Sequence, residues 1–299
     1  MARLVAAGER FDVVAGVSSG SVCAALTVAG LAARGPDIAR DFAGAPIVST
    51  RYLDTERSVF GVRRILFEVL HRNLPEERLL DTEAELLIAT THAGAYARHL
   101  VPAHVDVLTS SLRRTLAAPV TPRLAMLAAS VAPRLTTLAA SAAHRLGEGL
   151  GGRMVGERGD APPLPPLVIH SNRERRDLHD ILMASCYIPV LYAGVARLDG
   201  ALHVDGALAD NTLLDALSAR GATEITVVTP FVDAAVARTM FSPGAPLAPR
   251  PGVRLRVLYP ERPLSIGRFD FSRERLEEAL SMPHRERIIE PIASGHGQT

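Results

Sequence analysis

Lysine and tryptophan are absent from this 299-residue sequence, and all 33 of its basic residues are arginine. The absence of lysine excludes Schiff-base chemistry, a serine–lysine dyad and the lysine of a phosphate-binding P-loop. With two cysteines, Cys23 and Cys186, the chain cannot form a disulfide framework or a cysteine-rich zinc site. The sequence also lacks an apolar run of about 18 residues, so we predict no transmembrane helix.

The balance of charge argues against another class of protein, the general nucleic-acid binders. The chain carries 33 basic and 32 acidic residues, a formal net charge of +1. A general nucleic-acid binder needs a basic surplus, so no nucleic-acid partner is expected. The N-terminal residues lack the apolar core of a secretory signal. We therefore expect a cytoplasmic chain that can contact a membrane at its periphery.

Short apolar runs alternate with helical patterns along the chain. This alternation is typical of an α/β fold, and we predict a mainly parallel central sheet flanked by helices on both faces. The predicted strands are 11–15, 85–91, 167–170, 224–229 and 253–259, and the predicted helices are 22–33, 59–71, 177–185 and 273–280.

The chain is predicted to form one domain, residues 1–299. Its motif-bearing core comprises 10–100 and 167–230. A helical insertion rich in arginine, alanine and proline is predicted at 101–166, and a C-terminal strand and helix at 231–299.

Within the insertion, residues 107–147 contain five arginines and no acidic residue. An eleven-residue repeat starts at Pro122 and again at Pro133, which is three helical turns per repeat. One interpretation is a basic amphipathic segment that contacts an anionic membrane or covers the active site. The other is a helical hairpin packed on the core with solvated arginines.

The first candidate site is the motif Gly16-Val17-Ser18-Ser19-Gly20, placed where a buried strand turns into a helix. Such a turn holds a serine hydroxyl exposed, and the helix N-terminus offers amide hydrogens to developing negative charge. A serine nucleophile needs a base. His203 is one candidate, because it lies two residues before Asp205 and alternate strand residues face the same way.

The second candidate site is Asp205-Gly206-Ala207, followed by Asn211. By itself an Asp-Gly pair is typical of a turn.

Taken in order, these segments resemble the patatin-like phospholipase family, over residues 10–100 and 165–230. Residues 11–20 are similar to its nucleophile elbow, and residues 204–207 to its Asp-Gly-Gly/Ala motif. Residues 184–189, Ala-Ser-Cys-Tyr-Ile-Pro, are similar to its Ala-Ser-x-x-(aliphatic)-Pro segment. The strand at 221–228 is similar to the one that follows in the family.

The resemblance implies a serine–aspartate dyad without histidine. Ser18 would be the nucleophile, Asp205 the proton acceptor, and the backbone amide of Ser19 an oxyanion donor. Gly206 would let the backbone pass close to the elbow. The implied substrates are acyl esters of lipids, and the implied reaction uses neither metal nor cofactor.

The sequence departs from the family pattern in two places. The family has a glycine-rich loop before the elbow, whereas residues 1–8 are similar to the helix after that loop. We therefore expect the first strand and the loop to be absent from this sequence. A mis-assigned start, a fragment or a real truncation would each explain their absence. Leu213 stands where the family usually has proline. Two alternatives to hydrolysis stay open: a non-catalytic scaffold or lipid-binding protein, and an acyltransferase on the same dyad.

Overall fold

The computed structural model describes residues 1–292 apart from 47–48, 50, 53–55, 57–59, 94–165, 189–191, 193–195, 241 and 267–271. The basic segment at 107–147 lies outside the described residues, as does the predicted insertion at 101–166 except for its last residue.

The described helices and strands follow the predicted alternation. The helices are α1 (Ala2–Ala6), α2 (Ser19–Val28), α3 (Gly35–Phe42), α4 (Val62–Asn73), α5 (Leu178–Ser185), α6 (Leu214–Ala219) and α7 (Arg273–Ser281). The strands are β1 (Val13–Val17), β2 (Glu85–His92), β3 (Leu167–Ser171), β4 (Ala196–Leu198), β5 (Ala201–Asp205), β6 (Glu224–Val228), β7 (Ala235–Ala237), β8 (Gly244–Pro246), β9 (Arg254–Pro260) and β10 (His284–Ile289).

β2 is the centre of the larger sheet, and three strands pair with it. β1 pairs with residues 85–89 of β2, β3 with residues 87–91 and β5 with residues 90–92. Because β3 overlaps both other pairings, it lies on one edge of β2, and β1 and β5 share the opposite edge. β1 and β5 are therefore arranged end to end along the same side of β2.

The larger sheet is mixed, so the predicted mainly parallel sheet is not confirmed. Among its described pairings, only β1 with β2 is parallel, and helices α2, α3 and α4 lie in the crossover between them. The pairings of β2 with β3, β2 with β5 and β4 with β5 are antiparallel. β4 and β5 form a hairpin through Asp199 and Gly200, both at positive φ, as a two-residue turn of type I′ requires.

The C-terminal region contains more strands than the predicted strand and helix. A second sheet forms around β9, which is parallel to β6 and antiparallel to β10. β7 and β8 pair with each other in antiparallel orientation. The predicted helix of this region is present as α7.

Helices α2 and α5 pack on one face of the larger sheet, where they bury Leu86 and Ile88 of β2. On the opposite face, a smaller cluster joins β1, β2 and the segment after β5. The smaller cluster consists of Val17, Ala89, Ala207 and Leu213, with Met240 packed against it.

Within the described residues, none of the helices combines the length and the apolar character that spanning a membrane requires.

Candidate active site

The first part of the site is the turn between β1 and α2. β1 ends at Val17 and α2 begins at Ser19, so Ser18 is the single residue between them. Its backbone angles are φ 54° and ψ −136°, a conformation that residues other than glycine rarely adopt. Holding a serine there costs on the order of 1–3 kcal/mol, and strained residues of this kind cluster at active sites. The turn leaves Ser18 partly exposed.

Gly16 is what allows the turn to be this tight. A Cβ atom on Gly16 would lie 2.4 Å from the carbonyl oxygen of Gly20 and 2.5 Å from Cα of Ser21. A Cβ atom on Gly20 would meet open space. Ser19 and Gly20 are exposed in the first turn of α2, where backbone N–H groups have no acceptor within the helix and attract negative charge.

Two serine hydroxyls hold the backbone of Ser18. The N–H of Ser18 donates to Oγ of Ser185 at 3.0 Å, and Oγ of Ser185 donates to the carbonyl oxygen of Ala89 at 2.7 Å. On the other side, Oγ of Ser21 donates to the carbonyl oxygen of Ser18 at 2.6 Å. Ser21 and Ser185 are both fully buried.

The second part of the site is the end of β5. Asp205 is the last residue of that strand and is fully buried. Its Oδ1 accepts the backbone N–H of Ala207 at 2.9 Å, and its own N–H donates to the carbonyl oxygen of Tyr187 at 2.8 Å. Both contacts fix the carboxyl group and the chain that carries it.

The two parts meet at one point of β2. Val17 pairs with Ala89 and Asp205 pairs with Thr90, and these two partners are consecutive residues of β2. Consecutive strand residues advance about 3.3 Å along the strand axis. Asp205 lies on the same face of the sheet as its partner Thr90, and Ser18 directly follows Val17 at the end of β1. The topology thus places the predicted nucleophile beside the predicted proton acceptor.

Gly206 makes this meeting possible. A Cβ atom on Gly206 would lie 2.5 Å from the carbonyl oxygen of Ala89 and 2.7 Å from Cγ2 of Val17. Any side chain at this position would push the segment after β5 away from β1.

The ring of His203 belongs to a buried hydrogen-bonded group centred on Thr90. Its Nδ1 lies 2.9 Å from Oγ1 of Thr90, and the same hydroxyl lies 2.8 Å from Nε2 of His170. Burial lowers the pKa of His203, and the nearby His92 lowers it further. Burial also lowers the pKa of His170 to about 4, with a further contribution from His203. The His203 ring is therefore neutral near pH 7 and is hydrogen-bonded within this buried group.

The sequence did not predict the hydrogen bonds by which Ser185 and Asn211 stabilise the site. Ser185 lay in the segment that carried the family resemblance, and its position there was the available signal. Asn211 was noted by its spacing from Asp205. The N–H of Asn211 donates to the carbonyl oxygen of Arg238 at 2.8 Å, and its Nδ2 donates to that of Ala237 at 3.2 Å.

Among the residues that the structure describes, no group of three or more histidine, cysteine, aspartate or glutamate side chains is arranged to hold a metal ion. The site is built instead from hydroxyl, carboxyl and backbone amide groups.

The chain is similar to a known protein family. The model of the family described as patatin-like phospholipase matches residues 1–218. A search of curated proteins finds no match. The matched residues include Ser18, Ser185 and Asp205, whereas the strands from β6 onward lie beyond them.

Proposed function

The chain belongs to the patatin-like phospholipase family, a family of lipid acyl hydrolases, and from this premise we propose that it cleaves carboxylic esters of lipids through an acyl-enzyme on Ser18. The observation that carries the proposal is the end-to-end arrangement of β1 and β5 on one edge of β2. It supports the proposal because Val17, the residue before the strained Ser18, and the buried Asp205 pair with consecutive residues of β2.

In the first half of the reaction, Oγ of Ser18 attacks the carbonyl carbon of the ester while its proton passes to the carboxylate of Asp205. The negative charge that develops on the carbonyl oxygen is stabilised by N–H groups at the start of α2, including that of Ser19. The bond to the alcohol then breaks, and the alcohol leaves with the proton held by Asp205. Ser18 remains as its acyl ester.

In the second half, Asp205 accepts a proton from water as the water oxygen attacks the acyl carbon. The bond between that carbon and Oγ of Ser18 breaks, the fatty acid is released, and the proton returns to Ser18. No step draws on the ring of His203, in keeping with its contacts to Thr90.

A lipid ester is the proposed substrate, and a membrane surface is the proposed place of action through residues 107–147. That segment lies outside the described residues, so its contact with a membrane stays a prediction, as does a cytoplasmic location.

The test is hydrolysis of p-nitrophenyl butyrate and of phosphatidylcholine vesicles by the full chain, together with labelling by a fluorophosphonate, which reacts with activated serines. Ser18→Ala and Asp205→Asn should each reduce hydrolysis by about 1,000-fold or more, and Ser18→Ala should abolish labelling. Matched controls are Ser281→Ala and Asp41→Asn, two exposed positions outside the site.

Equal hydrolysis by Ser18→Ala and the unmodified protein would contradict the proposal. Product analysis in the presence of added glycerol separates hydrolysis from acyl transfer, because transfer yields a glycerol ester in place of the free fatty acid.

A further inference from the structure

We propose that Ser185 is the positioning residue that holds Ser18 in its strained conformation and in line with Asp205. The inference rests on the proposed role of Ser18 as nucleophile. Ser185 itself acts through the backbone of Ser18 and has no part in proton transfer.

The hydroxyl of Ser185 uses both of its hydrogen-bonding functions on the site. Its O–H donates to the carbonyl oxygen of Ala89, and a lone pair accepts the N–H of Ser18. Ala89 is the β2 residue that pairs with Val17, the last residue before the turn. The hydroxyl therefore connects β2 to the elbow at the place where the chain leaves the sheet. Because Ser185 is fully buried, removing its hydroxyl would leave the buried carbonyl oxygen of Ala89 and the N–H of Ser18 without this partner.

The position of Ser185 in the fold makes it a rigid support. It is the last residue of α5, whose residues Ile181, Leu182 and Ala184 are fully buried against the sheet. The chain just after it also holds the other half of the site, because the carbonyl oxygen of Tyr187 accepts the N–H of Asp205. Residues 185–187 thus contact the Ser18 turn and the Asp205 turn at once, and they set the distance between the two.

Ser21 contacts the elbow from within α2. Its hydroxyl donates to the carbonyl oxygen of Ser18 from three residues away, and its side chain is also hydrogen-bonded to that of Cys186. Ser185 is distant in sequence from Ser18 and bonds both to the elbow and to β2. Its hydroxyl therefore fixes the position of the elbow relative to β2.

The test compares Ser185→Ala with Ser185→Thr, which keeps the hydroxyl. In Ser185→Ala we expect the rate of fluorophosphonate labelling and kcat for p-nitrophenyl butyrate to fall by about 10- to 100-fold, because a nucleophile misplaced by about 1 Å loses that much. KM should change much less than kcat. Ser185→Thr should restore most of the rate. The matched control is Ser218→Ala, which removes a hydroxyl that donates to the carbonyl oxygen of Leu214 in α6.

A purely structural role predicts a different pattern: Ser185→Ala would lower the melting temperature while kcat and labelling stayed within twofold of the unmodified protein, and that result would overturn the inference. A crystal structure of Ser185→Ala provides a readout independent of activity. Ser18 at negative φ supports the inference, and Ser18 unchanged near φ 54° contradicts it. A lack of labelling in the unmodified protein would contradict the proposed nucleophile, whereas equal labelling of the unmodified protein and Ser185→Ala would contradict only the role of Ser185.

Discussion

The two halves of the site are held in different ways. The turn at Ser18 is strained, and side-chain hydroxyls from Ser21 and Ser185 hold it. The turn after Asp205 is held mainly by backbone hydrogen bonds, among them Asp205 N–H to the carbonyl oxygen of Tyr187 and Met240 N–H to that of Ala207 at 2.6 Å. The elbow is tied to the rest of the site by the hydroxyl of Ser185, whereas the turn after Asp205 combines these backbone contacts with the bond from Ala207 N–H to Oδ1 of Asp205.

This difference separates activity from stability. We expect a substitution that removes a hydroxyl at the elbow to change the geometry of Ser18 and to leave most of the fold intact. The Asp205 half also contacts β7 and Met240, which lie beyond the residues matched by the family model. The C-terminal part of the chain therefore supports a site whose candidate residues all precede it.

The largest expected effects come from the two glycines at which the halves pack most closely. Gly206→Ala and Gly16→Ala would each place a Cβ atom within 2.5 Å of backbone atoms that cannot move independently. We expect each to lower the free energy of unfolding by about 3 kcal/mol or more, measured by urea denaturation.

Gly20→Ala is the matched control for both, since its added Cβ atom meets open space and alanine favours a helix over glycine. Its stability should be unchanged or slightly raised. If Gly206→Ala were as stable as Gly20→Ala, the close approach of the two halves would be refuted.

An intermediate effect is expected from acid, and it should act on the Asp205 half. The pKa of His170 falls from 6.5 to about 4 on folding, mainly through burial, and that of His203 on β5 is also lowered. Between these pH values the unfolded chain binds more protons than the folded one, so stability is complete above pH 6.5 and declines as the pH falls towards 4.

The melting temperature should therefore decrease between pH 6.5 and pH 4.5, and the decrease should be smaller in His170→Gln, which can keep a hydrogen bond to Thr90 without titrating. The same decrease in both proteins would show that His170 does not cause it.

The smallest effect is expected from Asn211→Ala. The side-chain hydrogen bond to Ala237 is lost, but the backbone N–H of residue 211 still bonds to Arg238. We expect a loss of about 1 kcal/mol in stability with little change in kcat, the reverse of the pattern predicted for Ser185→Ala.

Asn73→Ala is a suitable control, because it also removes an amide that donates to a backbone carbonyl, within α4. A drop in kcat as large as that of Ser185→Ala would remove the distinction between the two halves.

Five of the ten described strands and four of the seven described helices were predicted from the sequence within a few residues, because buried apolar runs and helical periodicity mark them. The predicted helix 22–33 begins earlier, at Ser19, and ends at Val28, shortly before Gly30 adopts a positive φ. β10 was missed because its first four residues are exposed, so it has no apolar pattern.

The mixed pairing was missed for another reason. An apolar run predicts a strand but carries no information on its direction, so β3 and β5 could not be recognised as antiparallel to β2. The motifs identified Ser18 and Asp205 as candidates, whereas the role of Ser185 depends on long-range packing. A serine near the end of a helix is ordinary in sequence, and its contact with Ser18 becomes visible only when α5 is placed on the sheet.

Because β1 and β5 lie end to end along β2, the register of each strand on β2 determines how far Asp205 lies from the turn at Ser18. A slip of β5 by one residue along β2 would move Asp205 by about 3.3 Å and turn its side chain to the opposite face of the sheet. Under the proposed mechanism, such a chain would keep its secondary structure but would not hydrolyse esters. Turnover would then count only those molecules in which both strands are in correct register, whereas a circular dichroism spectrum would count all of them.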